Sequence, residues 1–265
     1  MNDALKADHS LLNGAVREAG ALALDYFRKG ARSWEKEKGH PVTEADLAVN
    51  DLLHERLAGS RPGYGWLSEE TADNPERLSK KHVWIVDPID GTRAFMKGLP
   101  EFSVCAALVE DGKPVLGAVF NPASDEFFEA RLGQGTLLNG KRVVIRAGAR
   151  LKDAHFLTSE RTFKRRDWPR PQQSFRRTWM SSIAYRMAIV ASGRFDVAIS
   201  LAPKSDWDIA AADLIMTEAG ALCTDREGKG FTYNQPVPRQ NSVVGAAPAL
   251  HAELLAMLAE HRHKT

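Results

Sequence analysis

The chain has 265 residues, of which 43% are hydrophobic and 26% are charged, and its formal net charge at pH 7 is +2. These fractions are those of an ordinary globular protein and exclude a disordered or fibrous one. A charge so close to balance points to neither nucleic acid nor a membrane surface. The length allows one large domain, or two packed halves, with a substantial core.

Cysteine usage and the N-terminus bear on the compartment. Cys105 and Cys223 lie in apolar stretches without metal-ligand spacing, so we expect two reduced core residues. Residues 1–6 lack the apolar core of a signal peptide, and no run of the sequence has membrane-spanning length. We therefore expect a cytoplasmic protein with no membrane partner.

The first elements along the chain are two helices. Apolar residues at helical spacing over residues 11–27 predict a long amphipathic helix that stops at Gly30. Residues 35–41 are charged and polar, which predicts a loop. A second helix is predicted next, and Thr43 and Asp46 at its start have the spacing of a helix cap.

Strands follow the two helices. Residues 102–110 and 115–120 are apolar and flank Asp111-Gly112, which is the sequence signal of a hairpin. Residues 127–138 continue the strand pattern, interrupted by glycine-rich turns. The first half of the chain therefore has α+β character, with an antiparallel sheet.

A second half begins near Leu151. Its predicted elements are strands at residues 156–159 and 195–199, and helices at residues 183–190, from Asp208 to Gly220, and at residues 251–261. The sequence contains no internal repeat and no flexible linker. We therefore expect residues 1–150 and residues 151–265 to share a tight interface.

The chemistry of the sequence is concentrated in residues 83–92, an apolar strand followed by an acid-rich turn. Asp87 and Asp90 lie three positions apart, and Gly91 and Thr92 precede a short helical stretch whose free N–H groups would attract an anion. Carboxylates would repel that anion unless cations lay between them, and ligands that are all oxygen suit Mg²⁺. The alternative is ordinary turn chemistry, because Asp, Pro and Gly all favour turns.

Two charged features have simpler explanations. Glu69 and Glu70 follow a strand predicted at residues 65–68, and such acid pairs are most often solvated surface. Seven basic residues fall within seventeen positions of the second half: Arg161, Lys164, Arg165, Arg166, Arg170, Arg176 and Arg177. We interpret this basic segment as a solvated loop. The alternative is a site for a polyanionic substrate or nucleic acid, but no aromatic-rich RNA-binding motif accompanies the segment.

Taken together, these motifs resemble the inositol monophosphatase superfamily of Mg²⁺-dependent phosphatases. The family pattern Asp-Pro-(Ile/Leu)-Asp-Gly-Thr is matched at residues 87–92, and its Trp-Asp followed by small residues is matched at residues 207–211. Residues 191–196 resemble the family's Ala-x-Gly-x-x-Asp segment, and residues 41–46 lie upstream in the family's order. The resemblance implies an α+β fold, a layered αβαβα sandwich. It also disfavours the turn-only explanation of residues 87–92.

The resemblance implies a metal site and a catalytic unit made by both halves. The N-terminal half would carry two or three Mg²⁺ ions, and the C-terminal half would supply the substrate pocket. The implied metal ligands are Glu69, Glu70, Asp87, the backbone carbonyl of Ile89, Asp90 and Asp208. Asp87 would bridge two ions, one lowering the pKa of the attacking water and the other stabilising the departing oxygen.

The resemblance also assigns roles around the phosphate. Glu69 and Thr92 would position and deprotonate the water, Asp46 would orient Thr92, and the amides of Gly91 and Thr92 would bind the phosphate. Li⁺ would inhibit by occupying the second metal position after the chemical step. The implied substrate contacts are Asp90, Arg93, Ser181, Ser182, Ile183 and Asp208.

The identity of the alcohol is less constrained. Members acting on inositol phosphates usually have Gly in place of Ser181, and Thr-Asn in place of Arg93-Ala94. A basic residue after the motif's Thr is more usual in branches acting on 3′-phosphoadenosine 5′-phosphate and histidinol phosphate. We place an inositol monophosphate first as the substrate, a 3′(2′),5′-bisphosphate nucleotide second and histidinol phosphate third.

A non-enzymatic protein is the remaining alternative. Such a protein would bind RNA or a protein partner through residues 161–177. A binding module has no use for five clustered carboxylates, so we expect an enzyme with a small phosphate ester as its partner and no nucleic acid. Whether the chain forms a homodimer is left open by the sequence.

Overall fold

The computed structural model describes residues 3–37, 39–159, 162, 164, 168 and 175–262. Four members of the basic segment, Arg161, Arg165, Arg166 and Arg170, lie outside the described residues. The α-helices of the described part are α1 Asp3–Lys29, α2 Glu44–Leu53, α3 Thr92–Met96, α4 Ile183–Ala191, α5 Asp206–Glu218 and α6 Pro248–Arg262.

The N-terminal half contains a hairpin and a seven-stranded sheet. Its strands are β1 Ser33–Glu37, β2 His40–Thr43, β3 Gly65–Ser68, β4 His82–Asp90, β5 Ser103–Glu110, β6 Lys113–Asn121, β7 Glu126–Arg131, β8 Gly135–Leu138 and β9 Lys141–Val143. β1 and β2 pair with each other, and β3 to β9 follow chain order across the large sheet. Only the β3–β4 pair of that sheet is parallel among its described ladders.

The C-terminal half contains a five-stranded mixed sheet. The strands of this half are β10 His155–Thr158, β11 Arg176–Trp179, β12 Val197–Ser200, β13 Lys204–Ser205, β14 Leu222–Thr224, β15 Arg239–Gln240 and β16 Val243–Ala246. The order in the sheet is β11-β10-β12-β16-β14, and β13 pairs separately with β15. β10 is parallel to both of its neighbours, and β16 is antiparallel to both of its own.

Successive side chains of the buried strands pack on opposite faces of the sheet, and this defines the layers. Trp84 and Val86 of β4 pack with α1 and α2 on one face of the large sheet, whereas Val83 and Ile85 pack with α4 and α5 on the other. This is the period of two expected for a strand buried on both faces. α4 and α5 fill the space between the two sheets, and α6 covers the outer face of the smaller sheet. The layers therefore run αβαβα, which confirms the predicted fold.

Several local predictions are confirmed. α1 ends at Lys29, and Gly30 has a left-handed φ of +83°. Asp111 and Gly112 have positive φ values in the turn between β5 and β6. Cys105 and Cys223 are buried free thiols. Across the described residues, we find no helix that combines the length and the apolar character required to cross a bilayer.

Three local predictions are wrong. Residues 35–41, predicted as a loop, belong largely to the β1–β2 hairpin, in which Trp34 pairs with Val42. β4 continues through the acid-rich turn to Asp90, because a shift of register after Asp87 lets the strand rejoin β5 at Ser103. α5 begins at Asp206 after the Ser205 cap, so Asp208 is its third residue.

Candidate metal centre

The β3–β4 pairing brings acids from two strands to one edge of the large sheet. Parallel strands end at the same edge, and Ser68 pairs with Val86. The next residues, Glu69 and Asp87, are therefore neighbours, and the Glu69 amide donates to the Val86 carbonyl at 3.3 Å. Asp90 follows after the irregular turn of β4.

The third acid comes from α5 in the middle helical layer. The Asp208 carboxylate accepts a hydrogen bond from the Ser205 amide at 2.8 Å, which completes a capping box and fixes the side chain at the helix start. One carboxylate oxygen from each of Asp87, Asp90 and Asp208 can be chosen so that all three lie within 4.8 Å of one another. The fold thus joins acids that are far apart along the chain.

Asp87 is the member of this triad with the least support from hydrogen bonds. It is 1% exposed, and neither of its carboxylate oxygens has a hydrogen-bond partner among the described residues. Burial raises the pKa of Asp87 well above its usual range, and Glu69, Asp90 and Asp208 add repulsion. A buried carboxylate without donors is costly unless a cation satisfies it. Since the candidate ligand atoms are all carboxylate oxygens, the triad could hold a Mg²⁺ ion.

Asp90 is supported on one side by the start of α4. One of its oxygens accepts hydrogen bonds from the Ser182 hydroxyl at 2.6 Å and the Ala184 amide at 2.7 Å. Burial, with repulsion from Asp208, raises the pKa of Asp90 to about 6. Ser182 caps α4 by accepting from the Tyr185 amide, and its hydroxyl also lies 3.1 Å from that of Ser103.

Glu69 and Glu70 meet a lysine from the β1–β2 hairpin. Lys36 forms an ion pair with Glu70, whose side chain is 3% exposed, and the Lys36 ammonium lies 3.9 Å from a Glu69 oxygen. Burial, followed by repulsion from Asp208, raises the pKa of Glu69 to about 8 in the metal-free protein. The sequence position of Glu70 suggested a solvated surface acid. The structure shows instead a buried side chain in an ion pair.

Asp46 connects α2 to the turn after β4. One of its oxygens accepts from the Thr43 amide and hydroxyl at 2.8 and 2.6 Å, which confirms the helix cap. The other oxygen accepts from the Thr92 hydroxyl at 3.3 Å, and that hydroxyl also lies 3.1 Å from the Ile89 carbonyl. Burial raises the pKa of Asp46 to about 6.

The remaining predicted site residues surround this centre. Gly91 has a φ of +100°, and a Cβ there would lie 2.7 Å from the Glu101 carbonyl, so only glycine fits. The Arg93 guanidinium donates to the Gly39 carbonyl in the turn of the β1–β2 hairpin. Ser181 is exposed at the end of β11, whereas Ile183 is fully buried.

Three cations near the acids were not predicted from the sequence. Lys36 faces Glu69 and Glu70, Lys204 lies 3.9 Å from an oxygen of Asp208, and the charge of buried Arg186 acts on Asp90 and Asp208. The spacing of Lys204, four residues before Asp208, was the one available signal. The β1–β2 hairpin brings Lys36 to the acids, and the burial of α4 brings Arg186 toward them.

Comparison with known proteins gives consistent matches along the whole chain. The sequence is 32% identical over 251 residues to a histidinol-phosphatase of Chlorobaculum parvum, covering 92% of this chain and 93% of that protein. It is 36% identical over 197 residues to an inositol-1-monophosphatase of Rhizobium meliloti, covering 71% of this chain and 73% of that protein.

A solved structure supports the same relationship. The fold superposes on the IMPase of Thermotoga maritima with a TM-score of 0.82 and 27% sequence identity, covering 98% of both chains. The sequence profile of the inositol monophosphatase family matches residues 7–264. Proteins of this family are phosphatases, typically Mg²⁺-dependent and sensitive to lithium. The chain therefore belongs to the inositol monophosphatase family and is a phosphoric monoester hydrolase.

Proposed function

We propose that the protein releases inorganic phosphate from a small phosphorylated alcohol, an inositol monophosphate first, by Mg²⁺-dependent attack of water. The observation that carries this proposal is the Asp87 carboxylate, which is buried beside Asp90 and Asp208 and has no hydrogen-bond donor among the described residues. Such a group is destabilising in the metal-free protein and becomes useful when a cation binds.

The proposed ligand set joins both halves of the chain. Asp87, Asp90 and Asp208 would hold one ion, and Glu69, Asp87 and the Ile89 carbonyl would hold another, with Glu70 available to a third. Bound Mg²⁺ would supply the positive charge that acidifies water and neutralises the departing oxygen. Asp208 lies on α5, and the groups that donate hydrogen bonds to Asp90 lie at the start of α4. Residues 1–150 and 151–265 would therefore act as one catalytic unit.

The chain's own groups would orient and deprotonate the water. Glu69 is the base in this proposal, because it lies next to Asp87 at the end of the parallel β3–β4 pair, beside the position of the ion-bound water. Thr92 would align the water, and its hydroxyl is directed by Asp46 and the Ile89 carbonyl. The amides of Gly91 and Thr92 would bind the phosphate, and glycine is required at position 91 by its positive φ and by the nearby Glu101 carbonyl.

The order of substrates rests on the relatives and on the sequence. Inositol 1-phosphate is the substrate named for the Rhizobium relative, and histidinol phosphate is the one named for the Chlorobaculum relative. A bisphosphate nucleotide would need a second cationic site. Arg93 donates to a backbone carbonyl instead, and this contact favours a substrate with a single phosphate.

A panel of phosphate esters tests the proposal. Phosphate release from inositol 1-phosphate, 3′-phosphoadenosine 5′-phosphate and histidinol phosphate would be measured with Mg²⁺, and again with a chelator. We expect chelator-sensitive turnover, fastest with inositol 1-phosphate, and none in the Asp87→Asn variant. Turnover that survives the chelator would contradict the metal centre, whereas a preference for another ester would contradict only the substrate.

A further inference from the structure

Arg186 is a buried arginine on α4, and no carboxylate in the described part of the chain contacts it. It is 2% exposed, its Nε donates to the Ser182 carbonyl at 3.1 Å, and an Nη lies 3.4 Å from the Ile199 carbonyl. Within the described ranges, the structure places no acid within ion-pair distance of its guanidinium. A buried cation supported only by backbone carbonyls should be strongly destabilising.

The compensating negative charge comes from the carboxylates of the candidate metal centre, Asp90 and Asp208. Burial lowers the pKa of Arg186 to about 10, and the negative charges of Asp90 and Asp208 oppose that shift, so the side chain stays protonated at neutral pH. Ser182 connects Arg186 to Asp90 by two hydrogen bonds. Its carbonyl accepts from Arg186, and its hydroxyl donates to Asp90 at 2.6 Å.

Another buried arginine, Arg77, is arranged differently. The Arg77 side chain is 1% exposed, and it binds both oxygens of Asp73, at 2.6 and 2.8 Å. Arg77 thus has its own carboxylate, as buried guanidinium groups usually do. Arg186 instead shares the carboxylates that would hold the ion.

We propose that Arg186 is a positioning residue that acts as a resident counter-charge of the metal centre. It stabilises Asp90 and Asp208 when no ion is bound, and it repels Mg²⁺ and so weakens its binding at the triad. This inference rests on the proposed metal centre. The consequence is an ion that exchanges readily, while the metal-free protein remains folded.

The test uses a neutral variant, a charge-conserving variant and a matched control. Arg186→Met removes the charge and keeps much of the volume, and Arg186→Lys keeps the charge. Arg194→Met is the control, because it makes the same change in net charge beyond the far end of α4, where Arg194 pairs with Glu126. Mg²⁺ affinity is measured by titration calorimetry and metal-free stability by thermal unfolding.

We expect Arg186→Met to bind Mg²⁺ about tenfold more tightly than the wild type, the order of magnitude for one charge removed from a partly screened site. The metal-free form of this variant should melt at a lower temperature. Arg186→Lys should stay within about twofold of the wild-type affinity, as should Arg194→Met, since a distant surface charge is screened.

Unchanged or weaker Mg²⁺ binding by Arg186→Met would overturn the inference, because a purely structural role predicts only destabilisation. If this variant does not fold, Arg186→Gln, which retains donors for both carbonyls, must show the same tighter binding. Absence of Mg²⁺ binding by the wild type would overturn the proposed metal centre as well. The two failures are therefore distinguishable.

Discussion

Asp87 in the N-terminal half differs from the buried carboxylates that support the fold of the C-terminal half. At the end of β4, Asp87 has no donor to either oxygen among the described residues. Three buried acids of the C-terminal half have donors: the Arg146 guanidinium and His155 amide for Asp196, the Asn234 amide and Gln240 side chain for Asp206, and the Tyr233 hydroxyl for Asp213.

The difference separates acids that support the fold from acids that serve a ligand. Asp196 directly precedes β12 and ties the start of that strand to the His155 amide of β10 and to Arg146. Such pairing satisfies the charge within the chain and needs nothing more. Asp87 lacks this support, and its neighbours are other acids. The contrast predicts opposite consequences when the two kinds of acid are neutralised.

Asp87→Asn should have the largest effect, and on activity rather than on folding. Removing the charge of the bridging ligand should lower kcat by at least about a thousandfold, or roughly 4 kcal/mol of barrier. Loss of repulsion among the acids should leave the metal-free melting temperature unchanged or higher. Phosphate release and thermal unfolding check these outcomes. Retention of more than about a tenth of wild-type kcat, only about 1.4 kcal/mol, would contradict the metal assignment.

Asp213→Asn should change how stability depends on pH. Burial raises the pKa of Asp213 to about 6 from a usual value near 4, and the Tyr233 hydroxyl donates to it at 2.9 Å. The folded state therefore holds a proton that the unfolded state has lost, so this group's contribution to stability falls as pH rises from about 4 to about 6. Above that window the loss is about 3 kcal/mol.

The measurement is denaturant unfolding of both proteins between pH 4 and pH 8. The difference in unfolding free energy between variant and wild type should rise with pH through the window and then level off. Asparagine can still accept from the Tyr233 hydroxyl, so the variant should be more stable than the wild type at pH 7. A difference that does not depend on pH would show that Asp213 is not protonated in the folded protein near pH 5.

Asp196→Ala should lower stability and leave the chemistry intact. The variant loses the Arg146 pair and the bond from the His155 amide, worth together about 2 kcal/mol because the Arg146 side chain is half-exposed and can be resolvated. Unfolding measures that loss, and kcat of the folded enzyme should change by less than about twofold. Arg150→Ala is the control, since it breaks a more exposed ion pair, with Glu253. A loss of activity equal to that of Asp87→Asn would erase the distinction.

The sequence predicted local backbone features that depend only on neighbouring residues, such as helix ends and turns. Gly30 and Asp111-Gly112 determine backbone geometry where they stand, because positive φ values favour those residue types. The acid-rich turn itself indicated Asp87 and Asp90 as Mg²⁺ ligands, and the family resemblance added Asp208. The fold brings the three together. The order of the layers likewise came from the resemblance, since periodicity identifies the faces of an element but not its neighbours.

Features that depend on distant neighbours were missed for physical reasons. The β1–β2 hairpin was read as a loop because its strands are charged and carry no apolar alternation. Lys36 faces the acids only because that hairpin folds toward them. Arg186 lies in a short apolar helix, where a basic residue suggests a solvated face. Its burial follows from the position of α4 between the two sheets.

Arg93→Ala should have the smallest effect, and it sharpens the assignment of the substrate. The side chain is exposed and donates to the Gly39 carbonyl, so the variant loses one hydrogen bond that fastens the hairpin carrying Lys36. Such a bond contributes about 1 kcal/mol, so kcat/KM should fall less than about tenfold. The fall should be equal for inositol 1-phosphate and 3′-phosphoadenosine 5′-phosphate, because the bond supports the hairpin and not the ligand. A loss confined to the bisphosphate, of about 1.5–3 kcal/mol, would instead mean that Arg93 leaves Gly39 to bind a second phosphate. That outcome would move the nucleotide ahead of the inositol phosphate without disturbing the metal centre.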